Sequence, residues 1–154
     1  ATGLEKVANV TSTDSVTFNN LPNLVDVDLK SAVGTTTVDF ELAALAGAAD
    51  NVTVTIKGTN STTLAFTDDN PLQTTVLETV TIDSLSVANT LADLQTTGVA
   101  TSSLVVTGDK KLTITAALDA EVITIDASAN TGGFTASLGH VLFCICSLTF
   151  PSLF

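Results

Sequence analysis

Apolar and polar residues alternate along this chain in short runs that turn signals interrupt. Val25-Asp26-Val27-Asp28-Leu29 and Val52-Thr53-Val54-Thr55-Ile56 show the pattern most cleanly. A period of two places every second side chain on one face, which is the geometry of a half-buried strand. The same reading predicts strands over 7–10, 16–18, 24–29, 36–40, 52–57, 63–66, 75–84, 85–87, 104–107, 112–115, 122–125 and 134–137. Val, Ile and Thr dominate these runs, and branching at Cβ favours extended backbone. Turn signals fall between them at Asn19-Asn20, Lys57-Gly58-Thr59-Asn60, Asp68-Asp69-Asn70-Pro71 and Gly108-Asp109. Helical spacing is confined to two places: 41–46, ending at Gly47, and 89–94, with Asn89 as its cap.

Two strands and two turns recur over roughly twenty residues, a length that suits one coil of a solenoid. The fold class expected is therefore all-β: a β-solenoid or β-helix-like stack of short strands. No exact motif repeats, so a two-sheet β-sandwich stands as the alternative. Nothing marks a linker. Residues 1–139 read as one elongated β domain with a softer boundary near residue 75, followed by an atypical tail at 140–154.

Composition narrows the picture. The chain has 154 residues, 45% of them hydrophobic, with 7 Phe and no Trp, Tyr or Met, which points to a thin aliphatic interior. Only 14% are charged, so Thr, Ser and Asn carry much of the solvation. Lysine and arginine together number 5 against 16 Asp plus Glu, a formal charge of −11, and all five cations are lysines. That field repels phosphates and anionic lipid, which argues against nucleic acid as a partner, and it favours a cation-rich exterior. It also discourages edge-to-edge association of strands.

An enzyme is not expected, nor a small-molecule substrate. One histidine and no arginine leave no nucleophile and base to pair. Asp26 and Asp28 share a strand face, where they read as a solvated surface rather than as a glycosidase pair. A carbohydrate-binding module would present exposed aromatic rings, and Trp and Tyr are absent.

The stretch from Leu77 to Leu138 carries a resemblance. Leu77-Glu78-Thr79-Val80-Thr81-Ile82 is followed by Asn89-Thr90-Leu91 and then by Leu104-Val105-Val106-Thr107-Gly108-Asp109. Leu112-Thr113-Ile114 and Ile125-Asp126-Ala127-Ser128-Ala129 come next, with Thr131-Gly132-Gly133-Phe134 after them. In this order the elements resemble bacterial surface-layer proteins of the RTX-associated, type I-secreted kind, and 44–56 resembles an upstream coil of the same family. The resemblance implies a secreted structural protein on the bacterial cell surface that self-assembles into a lattice, with calcium ordering coils and contacts. Its partners would be copies of itself and cell-surface polysaccharide. The glycine-rich calcium nonapeptide of RTX repeats is not found here: Gly132-Gly133 runs into Phe-Thr-Ala-Ser. A filamentous adhesin or fibre subunit, polymerising by strand donation from the tail, is the alternative function.

Calcium takes several oxygen ligands, so acidic turns are the places to look. Asp68, Asp69 and Asn70 form the densest group, followed by Asp50 and then Asp109 in its Gly-Asp turn. Each also suits an Asx turn at a strand end. Asp126 reads as structural, its carboxylate capping backbone N–H groups at a corner. The tail differs from all that precedes it: phenylalanines cluster, and Cys144 and Cys146 are the chain's two cysteines. Their alternate spacing sets them on one face about 7 Å apart, too far for a disulfide, and with His140 they fall short of a zinc set. Three readings compete for this segment: a strand given to a neighbouring copy, a peripheral membrane anchor, or foreign sequence.

Overall fold

Alternation becomes strand almost wherever the sequence shows it, and the strands stack in parallel. The computed structural model describes residues 3–68 and 76–139. Twelve strands run through them in chain order. The odd-numbered ones form the first sheet: β1 Lys6–Val10, β3 Asp26–Lys30, β5 Asn51–Lys57, β7 Thr79–Leu85, β9 Ser103–Thr107 and β11 Thr124–Asp126. The even-numbered ones form the second: β2 Val16–Leu21, β4 Gly34–Phe40, β6 Asn60–Asp68, β8 Asn89–Gln95, β10 Leu112–Leu118 and β12 Phe134–Leu138. Each strand pairs with the strand one coil away, so the chain winds as a β-solenoid of about 5 turns.

The parallel ladders rule out the sandwich alternative, whose sheets would be antiparallel. Lys6 pairs with Asp26, Val27 with Val54, Asn51 with Thr79, Thr79 with Ser103 and Ser103 with Thr124, so successive coils advance by 20, 27, 28, 24 and 21 residues.

Inward positions of the two sheets meet in one dry core. Val27, Leu29, Val54, Ile56, Leu64, Ile82, Leu91 and Leu104 are fully buried. Phe40 and Phe66 stack with ring centroids 6.4 Å apart and planes 6° from parallel.

One corner is built the same way on coil after coil. Thr11, Ser31, Gly58, Ser86 and Gly108 directly follow β1, β3, β5, β7 and β9, and all have positive φ. A left-handed residue turns the chain sharply toward the second sheet. The corner N–H groups then bond across coils: Thr11 donates to the Lys30 carbonyl at 2.8 Å and Ser31 to that of Lys57 at 3.0 Å. Glycine is mandatory at 108, where an added Cβ would lie 2.2 Å from the Ser84 carbonyl oxygen.

Five sequence expectations are corrected. Residues 89–94 are strand β8, not helix. Leu91 and Leu94 are three apart, as in a helix, yet both are buried from a strand. A bulge reconciles the two: Thr62 pairs with Leu91 and Thr63 with Asp93, leaving Ala92 as the extra residue. Residues 85–87 do not form a strand of their own; Leu85 ends β7 and Ser86, at φ 72°, begins a corner. Asn19-Asn20 lies inside β2, at a register shift between Phe18 and Leu21, rather than in a separate turn. The expected helix at 41–46 is a 3-10 turn, Leu42–Leu45. The strand expected over 75–84 begins at Thr79; its first residue, like the tail 140–154, lies outside the described residues.

Candidate functional site

Of the predicted acidic ligands, Asp50, Asp68 and Asp109 fall among the described residues, at corners and strand ends, and neighbours engage Asp50 and Asp109. Asp50 is buried where the chain enters β5. Its Oδ2 accepts the Gly47 N–H at 3.1 Å, and its own N–H donates to Glu78 Oε2 at 2.7 Å. The Asp50 carboxylate thus reaches back to close the loop that follows the 3-10 turn. Asp109 is exposed, and its Oδ2 accepts from Lys110 Nζ at 2.7 Å. That bond holds the Asp109 carboxyl below the ordinary carboxylate range. Asp68 closes β6 opposite Phe40. Asp69 and Asn70, and Cys144, Cys146 and His140 of the tail, lie outside the described residues. Among the described residues no three His, Cys, Asp or Glu side chains are gathered as a metal-binding group.

Asp126 closes a corner. Its Oδ1 accepts both the Ser128 hydroxyl, at 2.6 Å, and the Ser128 N–H, at 2.9 Å. The hydroxyl bond, then the backbone bond, lowers its affinity for a proton. Asp26 and Asp28 project from one face of β3. Asp26 Oδ1 accepts the Thr53 N–H at 3.3 Å. Asp28 Oδ2 stands 3.6 Å from Lys6 Nζ and 3.7 Å from Lys57 Nζ, tying three coils together.

Other polar groups organise the stack in roles that the local sequence does not mark. Asn89 is 1% exposed. Its Nδ2, with two hydrogens shared among four acceptors, lies 2.8–3.3 Å from the carbonyls of Ile56, Leu85 and Val87 and from Ser84 Oγ. Its Oδ1 accepts the Thr59 N–H at 3.1 Å. Asp39 is buried and accepts from the Asn20 N–H and the Thr67 hydroxyl. Asp119 accepts the Thr96 N–H at 2.6 Å. These pairs are one coil apart, 19 to 30 residues in sequence. Only a known register exposes them.

The outer faces of the two sheets differ in chemistry. The first carries Lys6, Asp26, Asp28, Lys30, Lys57, Asp83 and Asp126 on its strands. The second carries three carboxylates, Asp39, Asp68 and Asp93, and no lysine. Threonine fills its outward rows, as in the in-register line Asn60, Thr90, Thr113, Thr135. An open depression of about 320 Å³ at the entry to the stack is lined by Leu4, Glu5, Asn23, Leu24 and Asp26, among others. Glu5 and Asp26 are its two acidic lining residues, and no histidine, cysteine or lysine lines it. No family model, curated protein or solved structure matches this chain.

Proposed function

We propose that this chain is a structural segment of a bacterial surface layer, extracellular and self-associating, whose lateral contacts build a lattice with the help of calcium. The observation that carries the reading is the segregation of chemistry across the stack. Acidic groups close corners and cross-brace coils, while threonine ladders cover broad, regular sheet faces. Such a solenoid offers repeated, evenly spaced surface and a rigid core, which suits tiling. The resemblance over residues 44–138 supports the same reading. Calcium enters as the counterion that lets copies with a net charge of −11 approach. Cell-surface polysaccharide is the proposed anchor.

The fibre reading is favoured by one observation. Among the described residues, β1 and β2 at one end of the stack, and β11 and β12 at the other, each pair on one side only. Open strand edges accept further strands.

Negative-stain electron microscopy of the purified chain, with and without millimolar calcium, tests both. The surface-layer reading expects planar crystalline patches that dissolve in chelator. Calcium-independent filaments would replace it with the fibre, and dispersed particles in both conditions would refute both.

A further inference from the structure

We infer that copies of this chain join side by side, the lysine-bearing corner of one docking on the carboxylate-bearing corner of the next. The inference rests on the surface-layer reading and names the lateral contact that reading requires.

The chain turns at two corners as it winds. At the first it passes from an odd-numbered strand to the even one that follows, and at the second from an even strand to the next odd one. Each turn is taken with the strand residue on either side of it. The first corner then holds four of the chain's five lysines, Lys30, Lys57, Lys110 and Lys111, against Asp14, Asp109 and Asp126. The second, with the entry to β1, holds eight carboxylates among the described residues against Lys6 alone. Between the corners the strands carry Asp28, Asp39, Asp83 and Asp93 and no lysine. An excess of cations over carboxylates exists only at the first corner, and its complement is the second.

The two corners match rung by rung, with β1 and β2 as the first rung. On the second rung Lys30 stands at the first corner, and Glu41 and Asp50 at the second. The third has Lys57, then Asp68 and Glu78. The fifth has Lys110 and Lys111 beside Asp109, then Asp119 and Glu121. The fourth is uncharged at both corners, over 85–89 and 95–103. Copies standing at the same height with parallel axes thus set lysine against carboxylate on three rungs and neutral against neutral on one. The first rung is the exception: Asp14 comes level with Asp26, whose ladder partner is Lys6. Apolar surface has the same distribution. The six large exposed hydrophobics among the described residues are Val10, Val33 and Val87 at the first corner and Leu4, Ile123 and Leu138 at the second.

A first corner meeting a second is a heterologous contact, and one repeated by translation extends into an open row. Such a row is one direction of a two-dimensional array. Six rungs at about 4.8 Å spacing make a corner strip about 25 Å tall. That is a small contact, under the roughly 1,000 Å² of a stable pair, and a lattice lets many such contacts act together. Close pairs across it survive at about 0.15 M salt, where a Debye length of about 8 Å screens the repulsion between whole copies of charge −11.

The test is sedimentation velocity across concentration and salt series, with electron microscopy of the same samples. Lys30, Lys111, Glu41 and Glu121 are at least partly exposed and hold no ion pair among the described residues, so exchanging them leaves the bracing of the stack in place. Each exchange moves the charge by two units, so Lys30→Glu/Lys111→Glu takes the chain from −11 to −15 and Glu41→Lys/Glu121→Lys takes it to −7. Each variant alone should raise the Kd of association about tenfold or more, the second despite its weaker net repulsion. Mixed one to one they should associate again, since each supplies the corner the other lacks, an outcome that misfolded variants cannot produce. The wild type should associate best near about 0.15 M salt and loosen at about 1 M, where the Debye length is about 3 Å. Tighter association of Glu41→Lys/Glu121→Lys than of the wild type would mean that net charge alone governs, and would overturn the corner assignment. Lattices indifferent to both exchanges would also overturn it and leave the surface-layer reading standing. Rows that respond as described but never widen into sheets would sustain the contact and refute the surface layer. A chain monomeric at every salt and concentration would overturn the contact. Binding of alginate by that monomer, lost in Lys30→Glu/Lys111→Glu, would give the lysine corner to an anionic polysaccharide instead.

Discussion

Removing the Asn89 side chain should unlatch one corner of the stack. In Asn89→Ala the buried Thr59 N–H loses its acceptor, and the Ile56, Leu85 and Val87 carbonyls and the Ser84 hydroxyl lose their donor. An unsatisfied buried N–H costs about 1–3 kcal/mol, and carbonyls with a remaining partner cost less. The small cavity left by the amide adds about 0.5–1 kcal/mol. The sum is about 3 kcal/mol, or roughly a 6–12 °C fall in Tm for a chain of this size. Asn89→Asp should be no better, although it keeps the shape, because it sets a carboxylate oxygen against carbonyl oxygens. Far-ultraviolet circular dichroism during thermal and urea unfolding reads the effect, with Asn60→Ala on the exposed end of β6 as the control, expected within about 0.5 kcal/mol of wild type. A loss below about 1 kcal/mol for Asn89→Ala would refute the idea that this amide latches the coils.

Three further perturbations follow from the same geometry. Gly108→Ala should cost at least about 3 kcal/mol through its positive φ and its backbone clash with Ser84, whereas Gly133→Ala, also at positive φ but with nothing within 4 Å, should cost only about 1–2 kcal/mol in urea unfolding. Phe66→Ala removes a fully buried ring stacked on Phe40 and should cost about 3–5 kcal/mol by the same measurement. Asp126 should titrate below its ordinary value of 3.8 in the folded chain, because Ser128 hydrogen-bonds its charged form. The small stabilisation this brings is present above the unfolded pKa and is lost as pH falls through the folded one. Ser128→Ala should move the midpoint seen by carboxyl NMR back up, and an unchanged midpoint would disprove the assigned cause.

Much of this fold was legible because core and register share one period. Val52, Val54 and Ile56 alternate with Asn51, Thr53 and Thr55, and the fold buries that apolar set. What the local pattern could not carry was the vertical relation between coils. Coils of 20 to 28 residues, as their pairings measure them, leave no fixed spacing to find. The repeat that does persist is conformational: Thr, Ser, Gly, Ser and Gly occupy the same left-handed corner, so no single residue type marks it. Asn89 read as a helix cap, but it opens strand β8, and its role as a latch was hidden because its partners include Thr59, 30 residues upstream. The acidic turns were visible as acidic turns. That Asp50 and Asp109 were already committed to Gly47 and Lys110 depended on loop paths that composition does not describe.

The direction of the ladders has a mechanical consequence. Hydrogen bonds between coils run along the stack axis, so tension applied from one end coil to the other would break them a few at a time, peeling strands in succession at low force. Load applied across the sheets, parallel to the strands, would have to shear a whole ladder at once. A solenoid of this kind is compliant along its length and stiff across it. An assembly joined side by side would therefore resist stretching along the strand direction better than it resists being drawn out along the coil axis.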